Sequence, residues 1–219
     1  MMKRILSLVL IINLMAYTGF LVSEPDIANA VEDSVVVTQG VTAEITISSP
    51  IDVTMSADIP GITGNPGSPR TGATTWTVVT NNNTGFVMSI KSTSTPSMIL
   101  DGTYNFSDYS PVAVNVPDYS WGAAGAGVAE FGYTVEPATV ADTATLFKDN
   151  GSACNAGASN SANTCWLNAS TTDVTVINRT TETTSAGEDE IVRFQTESNA
   201  KYLKEGNYGA TITATATMN

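Results

Sequence analysis

The chain has 219 residues, carries a formal net charge of −12 and contains no histidine. Its acidity argues against nucleic acids and anionic lipid surfaces as partners, because both require a basic face. The absence of histidine excludes Ser-His-Asp and Cys-His catalysis and the usual zinc sites. We therefore expect no enzymatic activity, no metal and no cofactor. A carboxylate pair for glycoside hydrolysis is the alternative, with candidates at Asp108, Asp118, Glu130 and Glu136.

The beginning of the chain has the order of a secretory signal peptide. Residues 1–4 (Met-Met-Lys-Arg) are basic, residues 5–22 are almost wholly apolar, and residues 28–30 (Ala-Asn-Ala) form a small-x-small cleavage site. An uncleaved membrane anchor is the alternative, since about eighteen apolar residues can span a bilayer. We expect residues 1–30 to be a signal peptide and residues 31–219 to be exported, without membrane insertion after cleavage.

Alternating apolar and polar residues predict β-strands along most of the mature chain. No helical period of any length follows residue 30. This pattern predicts an all-β fold, an antiparallel β-sandwich of the Ig-like or jelly-roll-like kind, in a single domain over residues 31–219. The predicted strands are 31–37 continued by 41–47, then 51–55, 73–80, 86–92, 128–135, 173–178, 190–196 and 208–218.

The stretch from Ala73 to Ser92 is expected to be the central hairpin. Its two halves each place apolar side chains on one face, and the Asn/Gly-rich loop between them accepts the positive φ of a tight reversal. The other strands are then expected to cover that apolar face. The residues predicted to be buried together are Trp76, Phe86, Met88, Ile90, Phe131, Tyr133, Val176 and Ile212.

Two cysteines, Cys154 and Cys165, lie in a polar stretch of this exported chain. A disulfide between them is the first interpretation. Closing so short a loop stabilises a fold by about 2 to 3 kcal/mol in the chain-entropy model. The apolar pair Trp166-Leu167 follows directly, and we expect it to fix this loop to the core.

Residues 93–127 combine several prolines with irregularly spaced aromatic residues. Aromatic rings can stack on the apolar faces of sugars, so these residues are candidates for a polysaccharide-binding groove. The alternative is that they seal one end of the sandwich. The candidates are Tyr104, Phe106, Tyr109, Tyr119 and Trp121.

Both ends of the mature chain resemble the ends of bacterial fimbrial subunits. The start, Val31 to Ile47, is similar to the N-terminal extension of a pilin, and residues 205–215 resemble the closing strand G-x-Y-x-A-x-I. In that family an N-terminal strand completes the sandwich of the neighbouring subunit by β-strand addition. The resemblance assigns this role to Val35, Val37, Val41, Ala43 and Ile45. Ser48-Ser49-Pro50 is the expected hinge, although the strand could equally pair within its own chain.

A second resemblance is to WxL-type cell-wall-associated proteins of bacteria, where Trp76-Thr77-Val78 stands in place of W-x-L. The expectation from both is a non-enzymatic structural or adhesive protein, secreted to the bacterial cell surface. It would assemble with copies of itself or other surface proteins into a fimbria-like fibre. The alternative is a monomeric module that binds polysaccharide or cell wall.

Overall fold

The computed structural model describes residues 33–219, so the expected signal peptide lies outside the described residues. Thr42–Asn219 forms one compact unit, and the residues up to Val41 belong to a separate one. Asp33–Val41 contains no helix or strand. Within the described residues, no helix is both long and apolar enough to cross a membrane.

The regular structure of Thr42–Asn219 is β-strands and two short 3-10 turns, and the described residues contain no α-helix. The expected all-β class is therefore confirmed. The 3-10 turns are Val140–Asp142 and Thr145–Phe147. The strands are β1 (Ile45–Ile47), β2 (Arg70–Thr80), β3 (Phe86–Ser92), β4 (Met98–Ile99), β5 (Asn105–Asp108), β6 (Val128–Pro137), β7 (Leu167–Asn168), β8 (Val174–Arg179), β9 (Glu188–Asn199) and β10 (Ile212–Met218).

The strands form two sheets. The larger has the order β1-β2-β9-β6-β5-β4, with β7 also paired to β6, and the smaller has the order β10-β3-β8. All pairs are antiparallel except β5 with β6, which is parallel. A parallel pair needs a connection of about a dozen residues or more, and residues 109–127 supply it. The expectation of a purely antiparallel fold is wrong at this one pair.

The predicted central hairpin is also wrong, because its two strands do not pair with each other. β2 pairs with β1 and β9, whereas β3 pairs with β8 and β10. The turn between them, closed by the Gly85 N–H donating to the Asn82 carbonyl at 2.9 Å, therefore carries the chain from one sheet to the other. β2 and β3 therefore contribute buried side chains to the core from different sheets.

The predicted core is confirmed. All of its members are buried except Ile212, which is partly buried against the others. β6 and β9 pair along their whole shared length and supply the inward-facing Phe131, Tyr133, Val192 and Phe194. Both sheets thus contribute side chains to one apolar core.

The first strand is much shorter than predicted. Only Ile45–Ile47 is a strand, paired with residues 78–80 of β2. β2 ends at Thr80, so the residues before β1 have no β2 residue to pair with. The Asn81 side chain bonds their backbone instead: it accepts from Glu44 N at 2.7 Å and donates to the Thr42 carbonyl at 3.0 Å. The ladder stops because an amide side chain replaces the next strand residue.

Two other predicted strands also differ. Residues 51–55 form no strand. The Val53 and Met55 side chains instead lie against Gly72 of β2, in the space that a Cβ atom would occupy there. The last strand begins at Ile212 instead of residue 208. Gly209 exchanges two backbone hydrogen bonds with Ile99, at 2.9 and 3.0 Å, so this part of the chain leaves β3.

Candidate functional site

An open groove lies between two irregular segments, residues 50–62 and 202–212. Its volume is about 1220 Å³. Both segments are rich in exposed backbone, whereas the floor between them is apolar. The floor is made by Trp76, Met98, Phe106, Phe131 and Phe194.

The groove exists because the two sheets are not joined by backbone pairing on this side. β1 is the edge strand of the larger sheet and approaches β10, the edge strand of the smaller one. However, β1 is only three residues long, and Pro50 follows soon after it. From there residues 51–55 leave the ladder of β2, and core side chains become accessible between the sheets.

The edge strand β10 is incompletely covered. Within the described residues it pairs with β3 alone, so its other backbone edge has no ladder partner. Ile212, Ala214 and Ala216 alternate along β10 and are only partly buried. On the opposite rim, Ile51 is 89% exposed and Ile62 71% exposed. An edge with free N–H and C=O groups beside apolar side chains is a template for another strand.

The residues to which the fimbrial resemblance assigns strand exchange fall into two groups. Val35, Val37 and Val41 are about 85% exposed, and Ala43 is also exposed. Ile45 instead lies in β1 and pairs with Thr80 of the same chain. A segment available for exchange therefore ends before Ile45.

The five aromatic candidates for sugar binding do not form one surface. Phe106 is buried in the groove floor and contacts Tyr208 edge-on, with ring centroids 5.3 Å apart. Tyr104 lies outside the floor, 6.3 Å from the exposed ring of Tyr202. Tyr119 is partly buried.

Tyr109 and Trp121 belong to a different cluster. Their rings stack at 4.3 Å, and Trp121 meets the buried Trp166 edge-on at 5.3 Å. The Tyr109 hydroxyl donates to Asp118 at 2.7 Å, and burial raises its pKa. Trp121 Nε1 donates to Glu197 at 2.8 Å. Both polar groups are thus satisfied inside the protein.

Three of the four carboxylates considered for glycoside hydrolysis are hydrogen-bonded within the protein. Asp118 accepts from Tyr109, as described above, and Asp108 accepts from the backbone of Ser97 at 2.8 Å. Glu136 binds Arg193 through two hydrogen bonds of 2.9 and 2.8 Å. Burial raises the pKa of Glu130, and the neighbouring Glu197 raises it further.

The sulfur atoms of Cys154 and Cys165 lie at disulfide distance, with Cα atoms 5.5 Å apart. Beside them, the buried Asp149 accepts from the backbone N–H groups of Ser161, at 2.6 Å, and Gly151, at 2.8 Å. Burial opposes its charge, but these hydrogen bonds hold the pKa of Asp149 below its usual range. Trp166 and Leu167 are buried, so the expected attachment of this loop to the core is confirmed.

Sequence reasoning missed a buried acidic cluster that links the two sheets. Arg179 of β8 contacts Asp142 at 2.6 Å and Glu188 of β9 at 3.5 Å. Next to them, Glu190 is 1% exposed, and neither of its carboxylate oxygens has a hydrogen-bond partner among the described residues. Its position in the predicted strand 190–196 was the one available signal, because alternation turns Glu190 toward the same side as Val192 and Phe194.

The fold and the groove together define an all-β chain with an incompletely covered edge. No protein-family model, curated protein or solved structure matches this chain.

Proposed function

We propose that this protein is a secreted, non-enzymatic component of a bacterial cell surface that assembles into a fimbria-like fibre by β-strand exchange. In this proposal the two sheets are an Ig-like or jelly-roll-like sandwich whose groove receives a strand from a second copy. The observation that carries the proposal is the groove with an apolar floor that reaches β10 at Ile212, together with the outer edge of β10, which has no ladder partner among the described residues.

The segment before β1 has the properties required of the inserted strand. Val35, Val37, Val41 and Ala43 share one face in an extended conformation, and only Gln39 interrupts the apolar series. Fully burying a valine side chain stabilises by about 1.5 kcal/mol or more. Main-chain pairing along β10 would add affinity, as in other cases of strand addition. These side chains are exposed in the single chain, so burying them in a neighbour is a net gain.

The proposal is tested with the mature chain, residues 31–219, and a variant that begins at Thr42. The shortened chain keeps β1 and its pairing with β2. We expect the mature chain to form a ladder of oligomers by mass photometry and native electrophoresis, and the shortened chain to be monomeric. A synthetic peptide of residues 31–44 should bind the shortened chain with a defined stoichiometry and stop growth when added to the mature chain.

A pair of point variants distinguishes strand insertion from non-specific hydrophobic association. Val37→Asp places a charge on the face that enters the groove, whereas Val36→Asp places the same charge on the opposite face. We expect Val37→Asp to abolish oligomers and Val36→Asp to retain them. A mature chain that remains monomeric at high concentration, or equal effects of the two variants, would refute the proposal.

One observation favours the alternative, a monomeric polysaccharide-binding module. Tyr202 is 65% exposed beside Tyr104, and the Lys204 ammonium lies 5.7 Å from the Tyr104 ring. A monomer that binds wall polysaccharide and loses that binding on Tyr202→Ala would support this function. In that case Tyr104 would be the one predicted aromatic candidate at the binding surface, and the other four would not form a groove with it.

A further inference from the structure

Arg70 lines the groove and has no ion-pair partner among residues 33–219. It is the first residue of β2 and is half-buried. Its Nη1 donates to the Ser68 carbonyl at 3.2 Å, and its buried Nε has no hydrogen-bond partner among the described residues. A guanidinium in such a position is stabilised most by a carboxylate that accepts two parallel hydrogen bonds.

No carboxylate of residues 33–219 supplies that partner. The ion pairs of the described chain involve Lys91, Arg179 and Arg193, and Arg70 has none within 4.0 Å. Asp52, Asp58 and Glu205 also line the groove without pairing to it. Of the three arginines in residues 33–219, Arg179 and Arg193 each have a carboxylate partner and Arg70 has none.

The segment proposed for exchange carries carboxylates at its beginning. Glu32 and Asp33 precede Val35 and Val37. In an extended strand these valines lie about 7 and 13 Å beyond Asp33. On the groove floor, Trp76 lies six residues beyond Arg70 in β2, about 20 Å away. A strand with its acidic end at Arg70 therefore places its valines along the apolar path toward Trp76.

We propose that Arg70 binds the carboxylates of Glu32 and Asp33 from a second copy of this chain and thereby sets the direction of the inserted strand. This inference rests on the proposed function. It adds that the occupant is acidic at one end and apolar after it, and that its acidic end lies where β2 begins. An apolar strand without leading carboxylates would bind less tightly and in no preferred direction.

The test is a charge exchange measured by mass photometry of mature chains. Variant A carries Arg70→Glu, and variant B carries Glu32→Lys with Asp33→Lys. We expect each alone to assemble about tenfold more weakly than wild type or worse, because like charges then meet in the groove. Mixed together they should form an alternating copolymer. The donor of A matches the groove of B, and the donor of B matches the groove of A.

Controls separate this pairing from net charge and from folding. Lys91→Glu makes the same charge change as Arg70→Glu on the outer face of β3, and we expect it to assemble like wild type. Arg70→Met, which keeps the packing of the side chain without its charge, should weaken assembly with an unchanged melting temperature. Wild-type assembly should also weaken as salt rises, because exposed ion pairs are screened.

Three results would overturn the inference in different ways. If Val37→Asp abolishes oligomers while variants A and B assemble like wild type, strand exchange stands and Arg70 has no part in it. If A and B are each defective but their mixture is no better, Arg70 does not meet these carboxylates. A wild-type chain that never assembles refutes both this inference and the proposed function.

Discussion

Glu190→Gln tests the most unusual electrostatic feature of the fold. Burial raises the pKa of Glu190 from an ordinary 4.5 to about 8, with Glu188 and Asp142 adding to the rise and Arg179 opposing it. The carboxyl is therefore mostly protonated in the folded protein at neutral pH. Asp189 is the remaining nearby acid, so one arginine faces several carboxylates. Among the described residues, no cation other than Arg179 forms an ion pair with this group of carboxylates.

The sign of the pH dependence follows from this raised pKa. Below about pH 4.5 the carboxyl is protonated in both states, and its stabilising contribution is fully present. As pH rises from 4.5 to about 8, the unfolded chain releases the proton and the folded protein retains it, so the free energy of unfolding falls. One pH unit of difference corresponds to about 1.4 kcal/mol, so the total loss is at most about 5 kcal/mol.

The Gln variant cannot ionise and should lack this loss. We expect wild type and Glu190→Gln to have similar stability at pH 4, and the variant to be more stable by several kcal/mol at pH 9. The assay is urea unfolding followed by tryptophan fluorescence across this range. An equal difference between the two proteins at pH 4 and pH 9 would refute the reasoning.

Glu197→Gln is the matched control. Glu197 is also 1% exposed and lies in the same strand, but its carboxylate accepts from Gly67 N at 2.6 Å and Trp121 Nε1 at 2.8 Å. An amide cannot accept through its nitrogen, so we expect this variant to be destabilised by about 1 to 3 kcal/mol. This variant therefore reports the loss of a hydrogen-bond acceptor at a second buried glutamate of β9.

Three further stability predictions concern the disulfide, the core and the ion pairs of Arg179. Replacing Cys154 and Cys165 by serine should lower stability by about 2 to 3 kcal/mol and speed hydrogen exchange mainly within residues 151–166. Trp76→Ala should cost about 3 to 5 kcal/mol in urea unfolding, because it removes a buried ring; a cost below about 1 kcal/mol would show that β2 is not central. Arg179→Met should cost about 3 to 5 kcal/mol and expose β8 to hydrogen exchange, because it leaves Asp142 and Glu188 without their cation; unchanged exchange in β8 would contradict this role.

The alternation of apolar and polar residues was sufficient to predict which strands form the core. Trp76, Phe86 and Phe131 are buried as alternation predicted, because the period of two places every second side chain on one face whatever the partner strand is. The cysteine pair was also predictable, since two cysteines eleven residues apart, in a chain that the sequence predicts to be exported, have few other uses.

Partner choice could not be predicted in the same way. A tight Asn/Gly turn is equally compatible with a hairpin and with a crossing between sheets, and only the strands that β2 and β3 pair with distinguish the two. The predicted strand at 51–55 failed for a similar reason. Val53 and Met55 alternate as a strand would, but their side chains pack against Gly72 of β2, a contact that the local pattern does not reveal.

The sequence by itself determined the all-β class, the position of the core strands and the cysteine pair, because these depend on period and on residue type. Only the tertiary structure decided the groove, the unpaired edge of β10, the isolation of Arg70 and the burial of Glu190. Each of these depends on which segments meet across the fold. The sequence of one strand does not show whether both of its edges are paired, so an unpaired edge is recognised only when all the strands have been placed.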